Sequence, residues 1–377
     1  MKEMKLIHYL ALIVILVVTV FGATVITGWT EIPQPVEDVP VMQTEPVTEA
    51  PTEAPTEAPT EPPTEAPTQP SSFLLTFVGD CTLGCNAGRE LGTSAFPKTV
   101  GEDYKYPMAN VLTYFEQDDY SFANLEGVLG DKGTPQNKKF KFRGIAEYVQ
   151  ILTLNSVECV TLANNHSFDY GQEGLDETKR ILEEAGVDYA DHKEVALVTT
   201  DTGLTIGIYA VDFTREQPAE EEFKTGIQKL KKAGAEVVVC SFHWGQENSY
   251  TTNQMQQKYG HLAIDAGADI VWGHHVYVLE PIEEYNGGVI FYSLGNFVYG
   301  GNSAPKDLDT AIVQQEVVRQ EDGTFALGIR TIIPCSVSSV SHINNYQPMP
   351  YAEGTEEYNR VLSKLDGSYN GPNILLN

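Results

Sequence analysis

The stretch VTLANNHSFDYGQEGL, residues 160–175, sets two asparagines, a histidine and an aspartate directly after an apolar run. An imidazole moves protons near neutral pH, and a neighbouring carboxylate can fix its tautomer. Similar endings recur along the chain. Asp80 follows TFVG, Asn124 and Glu126 follow YSFA, His243 follows VVVCSF, and His274 and His275 follow IVWG. Side chains at the carboxyl ends of neighbouring strands in an α/β sheet converge in one crevice. Carboxylate, amide and imidazole together make the ligand set of a first-row metal. Two such ions about 3.5–4 Å apart would clamp the attacking and leaving oxygens of a displaced phosphoryl or acyl group, and would supply hydroxide near neutral pH.

The elements that must position these residues are apolar strands separated by amphipathic segments. FLLTFVG, YSFANLEG, VECVTLAN, TIGIYAVD, EVVVCSFHWG, ADIVWGHH and VIFYSLGNFV read as strands. Residues 106–117, 145–155, 172–185, 219–233 and 252–266 read as helices. AIVQQEVV and FALGIRTIIP read as a closing antiparallel pair. β-branched runs between helices predict an α/β domain with a largely buried sheet.

The first fifth of the chain has a different composition. Residues 9–26, YLALIVILVVTVFGATVI, are long and apolar enough to cross a bilayer of about 30 Å. Lys2 and Lys5 precede them, and no further Lys or Arg appears before Arg89. That asymmetry predicts a cytoplasmic N-terminal tip, a single-pass anchor and an extracytoplasmic domain. A cleaved signal peptide is the alternative. Residues 31–70 carry nine acidic side chains and no basic one, within repeats of TEAP. Such a tract has no core to bury and reads as a disordered spacer. The expected organisation is therefore tip and anchor over 1–30, linker over 31–71, an α/β domain over 72–340 and an extension over 341–377.

Removing those nine charges from the net of −28 leaves −19, so nucleic acid is excluded as a partner. The five cysteines, Cys81, Cys85, Cys159, Cys240 and Cys335, form no metal-like pair. Cys159 and Cys240 read as buried thiols, and pairing of Cys81 with Cys85 is left open.

In order, VGDCTLG, NLEG, NNHSFDYG, FHWG, GHH and YSLGNFV resemble the capsule-synthesis CapA family, which is associated with poly-γ-glutamate synthesis and export and related to calcineurin-like metallophosphoesterases. The likeness spans residues 73–300. It implies a four-layer α/β/β/α sandwich and one or two divalent ions, Mn, Fe or Zn. The metal ligands it implies are Asp80, Glu126, Asn165, His243, His274 and His275. His166 would be the proton donor to a leaving group, with Asp169 orienting it. Partners implied are an anionic capsule or wall polymer and polyglutamate synthase or export subunits. Two departures stand out: Thr82 occupies the place of a first-motif histidine, and Val276 and Tyr277 stand where proline and histidine are usual. A one-metal site or an inactive binding site follows from that loss.

Alternatives accompany the remaining residues. NHSFD could simply cap a helix at Gln172. Asn124 sits beside the bridging acid, and Trp244 and Asn296 could line the crevice or serve as wall and turn. Lys141 and Arg143, on one face of NKKFKFRG, could grip an anionic substrate or protect an edge strand. Glycoside hydrolysis by paired carboxylates leaves the histidines unexplained.

Overall fold

The computed structural model describes residues 72–93, 95–192 and 194–372. The expected anchor at 9–26 and the spacer at 31–70 lie outside the described residues. No helix among the described residues is long and apolar enough to cross a membrane.

From β1 (Ser72–Thr82) the chain passes through β2 (Cys85–Asn86), α1 (Phe96–Val100) and α2 (Leu112–Phe115) to β3 (Tyr120–Leu125), β4 (Val128–Leu129) and β5 (Phe142–Gly144). Then come α3 (Val149–Thr153), β6 (Cys159–Thr161), α4 (Gly171–Ala185), β7 (Asp188–Ala190), β8 (Val195–Thr199) and β9 (Thr205–Asp212). Next are α5 (Glu220–Lys232), β10 (Val237–His243), α6 (Gln254–Asp265), β11 (Ile270–His274), β12 (Leu279–Tyr285) and β13 (Gly288–Leu294). The chain closes with β14 (Asn296–Tyr299), β15 (Asp309–Arg319), β16 (Phe325–Ser336), β17 (Met349–Pro350) and α7 (Glu356–Leu365).

Two large sheets result. One runs β17-β16-β15-β1-β3-β6-β7, with β14 also pairing β1; the other runs β12-β13-β11-β10-β9-β8. Phe77, Phe122, Trp272 and Phe291 meet between them, and Phe77 stacks on Phe122 with centroids 4.8 Å apart. Burying a Phe side chain contributes about 1.5–3 kcal/mol, so this aromatic seam is a major term holding the sheets face to face. On the outer face of the first sheet, Leu125, Val160 and Leu162 pack on Ile151 of α3 and on Leu175, Ile181 and Leu182 of α4. On the outer face of the second, Val238, Cys240 and Phe242 pack on Phe223, Ile227 and Leu230 of α5 and Tyr259 of α6. Helices therefore flank a mixed, two-sheet α/β core.

Local sequence explains where the long helices begin and end. Gly186, at φ +72°, closes α4 in the left-handed conformation that favours glycine. Three glutamates open α5 and three lysines close it, matching the helix dipole. Asn253 and Gln256 cap α6 reciprocally. The expected helix over 106–117 is instead a 3₁₀ turn at Tyr106–Met108 and the single turn α2, because Val111 leaves helical geometry at φ −124°. The region 145–155 likewise divides into a 3₁₀ turn and α3.

VIFYSLGNFV reads as one strand in sequence but serves two sheets. Gly295, at φ +70°, ends β13 in the second sheet and starts β14 beside β1 in the first. Its carbonyl accepts the Asp80 N–H at 2.9 Å. A Cβ on Gly79 would lie 1.9 Å from that oxygen, so glycine before Asp80 is what lets the two backbones touch. Residues 341–372 do not stand apart from the domain ending at 340, since Val361 and Leu365 of α7 are buried in the inter-sheet core.

Candidate functional site

Strand register assembles the site. Asp80 of β1 is paired with Asn124 of β3 on one side and Asn296 of β14 on the other. In the second sheet His243 is paired with His274 and with Asp212. The two rows face each other across the carboxyl ends of the strands. Asn124 donates to Asp80 Oδ1 at 2.6 Å and lies 3.5 Å from His243 Nδ1. The His275 N–H donates to Asp80 Oδ2 at 3.3 Å, and His274 Nδ1 lies 3.8 Å from Asp80 Oδ1. Glu126 Oε1 is 3.9 Å from His166 Nε2 and 4.0 Å from His243 Nε2, while His243 Nε2 meets Asn165 Oδ1 at 3.0 Å. Asp80, Glu126, Asn165, His243, His274 and His275 thus form one continuous cluster.

Several of its atoms lack what burial demands. Glu126 Oε1, His274 Nδ1 and His275 Nδ1 are buried without a hydrogen-bond partner among the described residues. Such groups cost free energy unless something else satisfies them. Burial pushes the Asp80 carboxyl up to about 7 against the opposing hydrogen bonds of Asn124 and His275. Glu126 is raised as well, by burial first and then by the charge of Asp80. Burial holds His243 and His274 well below the usual imidazole range and lowers His275 to about 4. The cluster by itself resists charge, whereas a cation would favour ionised carboxylates and neutral imidazoles together. Among the described residues no group of three or more His, Cys, Asp or Glu side chains is arranged so that it could hold a metal ion. The donor set is open and completed by amides, but its orphaned oxygen and nitrogens are of the kind that hold Mn, Fe or Zn.

His166 sits at the edge of this cluster, on the loop after β6. Its Nδ1 lies 2.7 Å from Asp169 Oδ2, which also accepts the Phe142 N–H at 2.6 Å. Lys138 ion-pairs with Asp169 Oδ1 and donates to the Asn165 carbonyl at 2.9 Å. The imidazole stacks on Phe142, centroids 4.2 Å apart. With Nδ1–H committed to a carboxylate, Nε2 is left to face Glu126 and the cavity. Burial lowers the pKa of His166, and Asp169 opposes that shift.

The helix-cap alternative fails here: Tyr170 is the N-cap of α4 and makes no side-chain cap bond. Asn164 instead ties the loop inward, donating to Asn124 Oδ1 at 3.0 Å and accepting from the His166 N–H at 3.0 Å.

A cavity of about 400 Å³ opens onto His166. Phe140, Phe142, Tyr277, Tyr299, Asn296 and Glu247 line it, with Arg89 and Lys306. Of the expected substrate residues, Asn296 lines this cavity and Asn124 lies beneath it on Asp80. Lys141 and Arg143 do not. Alternate residues of a strand face opposite ways, and in β5 it is Phe142 that points inward. Lys141 Nζ bonds the Lys138 carbonyl at 3.0 Å, and the Arg143 guanidinium lies 3.4 Å from the Tyr170 ring centroid. Trp244 takes the wall alternative: it is fully buried among the α5 and α6 contacts, its Nε1 donating to the Tyr292 carbonyl at 2.8 Å. All five cysteines are buried and free, so Cys81 and Cys85 do not pair.

The family model for bacterial capsule synthesis protein PGA_cap matches residues 74–300, from the start of β1 through β14, and takes in every residue of the cluster. The chain belongs to the PGA_cap family. The PGA biosynthesis protein CapA of Bacillus subtilis (strain 168) is 32% identical over 313 residues, covering 78% of this chain and 80% of its own. The capsule biosynthesis protein CapA of Bacillus anthracis is 28% identical over 317 residues, covering 77% and 72%. Among solved structures, the NAD nucleotidase of Haemophilus influenzae overlaps 79% of this chain and 63% of its own at 13% identity. Its TM-score of 0.35 is too low to carry an inference about the site.

In this PGA_cap protein the two departures read from sequence have definite places. The Thr82 hydroxyl donates to Glu126 Oε2 at 3.0 Å, so a hydrogen bond stands where an imidazole would. Tyr277 lines the cavity, and both His275 (φ 94°) and Tyr277 (φ 67°) adopt left-handed backbone, an unfavourable state for side chains of this size. Lys138, Glu247 and Tyr299 escaped the sequence reading. Lys138 lay inside the basic run already singled out, and Asp212 obeys the same strand-end rule that picked out Asp80 and His243.

Proposed function

We propose that this chain is an extracytoplasmic, membrane-anchored CapA-like protein that takes part in capsule or poly-γ-glutamate synthesis or export, acting as a metal-dependent hydrolase of an anionic envelope polymer. The observation that carries the reading is the His166–Asp169 pair, set with its free Nε2 3.9 Å from an otherwise unpartnered Glu126 oxygen. Residues 9–26 would supply the anchor and 31–70 the spacer. The two-sheet core with helices on both outer faces fits a metallophosphoesterase-type four-layer sandwich. Asp80, Glu126, Asn165, His243, His274 and His275 would hold one or two divalent ions, Mn, Fe or Zn. A bound ion supplies Lewis acidity and lowers the pKa of water.

The chain's own residues do the rest. Asp169 keeps the His166 proton on Nδ1 and steadies the imidazolium formed when Nε2 takes a proton. That proton then passes from Nε2 to the leaving oxygen or nitrogen. Lys138 holds the loop by bridging Asp169 and the Asn165 carbonyl, and Phe142 fixes the ring plane. Phe140, Phe142, Tyr277 and Tyr299 narrow the cavity against bulk water. The chemistry of the site suits a phosphoester or amide bond, and the anionic polymer is drawn from the relatives' names. Metal analysis of the purified protein, with turnover measured on generic phosphoesters and γ-glutamyl peptides, tests this. Absence of both bound metal and turnover would sink it.

A second reading is a non-catalytic polymer-binding subunit of a capsule assembly or export complex. The Thr82–Glu126 hydrogen bond favours it, since it satisfies one carboxylate oxygen without a metal. On that reading His166→Ala leaves polymer binding intact, and changing the cavity cations Arg89 and Lys306 to alanine removes it.

A further inference from the structure

The cavity over His166 continues on two sides. Arg89, Gly301 and Asn302 line both it and a second cavity of about 460 Å³, which follows β2 and the next loop past Asn86 and Thr93. Lys306 and Asp307 line both it and a third, of about 550 Å³, bounded by Ser338, Ser341, Tyr351 and Arg360. Arg89, Asn302 and Lys306 are exposed, so both junctions lie at the surface. Together the cavities make one open groove with His166 in its middle section. That section alone, at about 400 Å³, is of the size that holds one small ligand, and the flanking sections are room for more of the same molecule. We infer that the groove binds a linear anionic chain along its interior, with units on both sides of His166, and that the bond presented to His166 is an internal one. This rests on the reading of the site as one that takes an anionic polymer.

Charge picks out the same line in a chain of net charge −28. Of the acids lining the groove, Asp307 accepts from the Tyr250 hydroxyl at 2.7 Å and from Lys364 at 2.6 Å, and Glu247 accepts from the Tyr277 hydroxyl at 3.3 Å. Glu357 lies in the third cavity, away from both junctions. Arg360 is committed to Asp309 through two bonds of 2.7 Å. Arg89 and Lys306, by contrast, make no side-chain hydrogen bond or ion pair among the described contacts, and each stands at one junction. One unanswered cation on either side of the reacting group is the arrangement that grips a chain bearing negative charge at regular intervals.

Neither flanking cavity contains a residue of the Asp80 and Glu126 cluster, so both position the chain without reacting with it. A Cβ on Gly301 would lie 2.8 Å from the Tyr299 ring and 2.9 Å from the Phe142 ring, so glycine lets the loop at the first junction lie against the walls of the site. Hydrolysis in the middle section consumes one water. Its hydroxyl goes to the acyl or phosphoryl centre as the bond to the leaving nitrogen or oxygen breaks, its proton reaches that leaving atom through His166 Nε2, and two shorter chains depart.

Calorimetric titration tests this, with γ-linked oligoglutamates and glycerol-phosphate oligomers, each from dimer to dodecamer, added to the full chain in detergent carrying His166→Ala, which leaves them uncut. Affinity rises with length until the flanking cavities are filled, and the series that shows the rise names the repeating group as carboxylate or phosphate. Adding Arg89→Ala or Lys306→Ala weakens binding of the longest oligomer by about tenfold each, the worth of one charge-assisted contact. Both residues are exposed, so both variants keep the fold. In parallel, the wild type digests the dodecamer, and mass spectrometry shows mid-length fragments before single units. Binding that is absent or flat beyond the dimer in both series overturns the inference, as does release of single units from one end. A rise in affinity with length but no cleavage by the wild type leaves the groove standing and removes the hydrolase reading.

Discussion

His166 Nδ1 lies 2.7 Å from Asp169 Oδ2, and that carboxylate also receives the Phe142 N–H. The imidazole is thereby fixed in one tautomer and one orientation. If Nε2 is the proton donor, His166→Ala lowers kcat by about 10²–10⁴-fold with little change in KM, the range for a positioned acid or base. Asp169→Asn keeps the shape but offers an amide where Nδ1–H needs an acceptor, so it lowers kcat and displaces the acid limb of the pH–rate profile. Steady-state kinetics over pH 5 to 9 on the best phosphoester or γ-glutamyl substrate is the check. Equal kcat in wild type and His166→Ala would assign the site to binding alone.

Lys138 and Arg143 lie five residues apart in one basic run and have different fates. Lys138 spans Asp169 and the Asn165 carbonyl, whereas Arg143 turns outward to the Asp131 carbonyl and the Tyr170 ring. Lys138→Ala is expected to lower kcat by about 10–100-fold, the usual cost of removing a supporting contact behind a ligand. Arg143→Ala should stay within about twofold, because its guanidinium meets backbone carbonyls and the Tyr170 ring rather than His166, Asp169 or the metal-type cluster. Measuring both on one substrate separates positioning from general electrostatic attraction.

That contrast shows what the sequence could convey. Strand ends carrying Asp80, Glu126, His243 and His274 were legible because burial forces apolar runs, and a polar residue ending such a run stands out. Helices α4, α5 and α6 were legible to within two residues because their caps and apolar faces are local. The turn at Gly295 was not, since a strand that changes sheets keeps the same apolar pattern. Nor was the inward and outward choice along β5, where only tertiary contact decides which alternate residue meets His166. The choice at Trp244 was open for a related reason: an aromatic at a strand end fills either a crevice or a helix interface, and here Tyr292 and the helices claim it.

Glu280 offers a pH test away from the reacting groups. It is buried, accepts from Gln256 Nε2 at 2.5 Å through one oxygen, and has no partner for the other among the described residues. Burial pushes its carboxyl up to about 8 from an ordinary 4.5, against the Gln256 hydrogen bond. The folded state therefore holds this proton more tightly than the unfolded chain does. Its contribution to stability is complete below about pH 4.5 and is lost as pH rises toward 8. Glu280→Gln cannot ionise, so the wild type should lose several degrees more in Tm between pH 5 and pH 8 than the variant, given about 2–4 °C per kcal/mol in larger domains. Parallel melting of both proteins in the presence of chelator decides it.

The closing helix tests whether residues beyond 340 are part of the fold. Asp309 of β15 accepts from Arg360 at 2.7 Å through each oxygen, and from Lys364 at 2.7 Å, while Asp307 takes a second Lys364 bond at 2.6 Å. Lys364 is 1% exposed and Asp309 is fully buried. Replacing such a pair by apolar groups can be neutral, but removing one partner strands a charge in a poor solvent for it. Asp309→Ala should therefore cost about 3–5 kcal/mol, leaving Lys364 with Asp307 alone and Arg360 without its fork. Glu184→Ala, which breaks the exposed Arg180–Glu184 pair, should stay within about 0.5 kcal/mol. Urea unfolding of the three proteins compares the two. A small effect at Asp309 would mean that α7 is held by Val361 and Leu365 alone, and that the ion network is incidental to its docking.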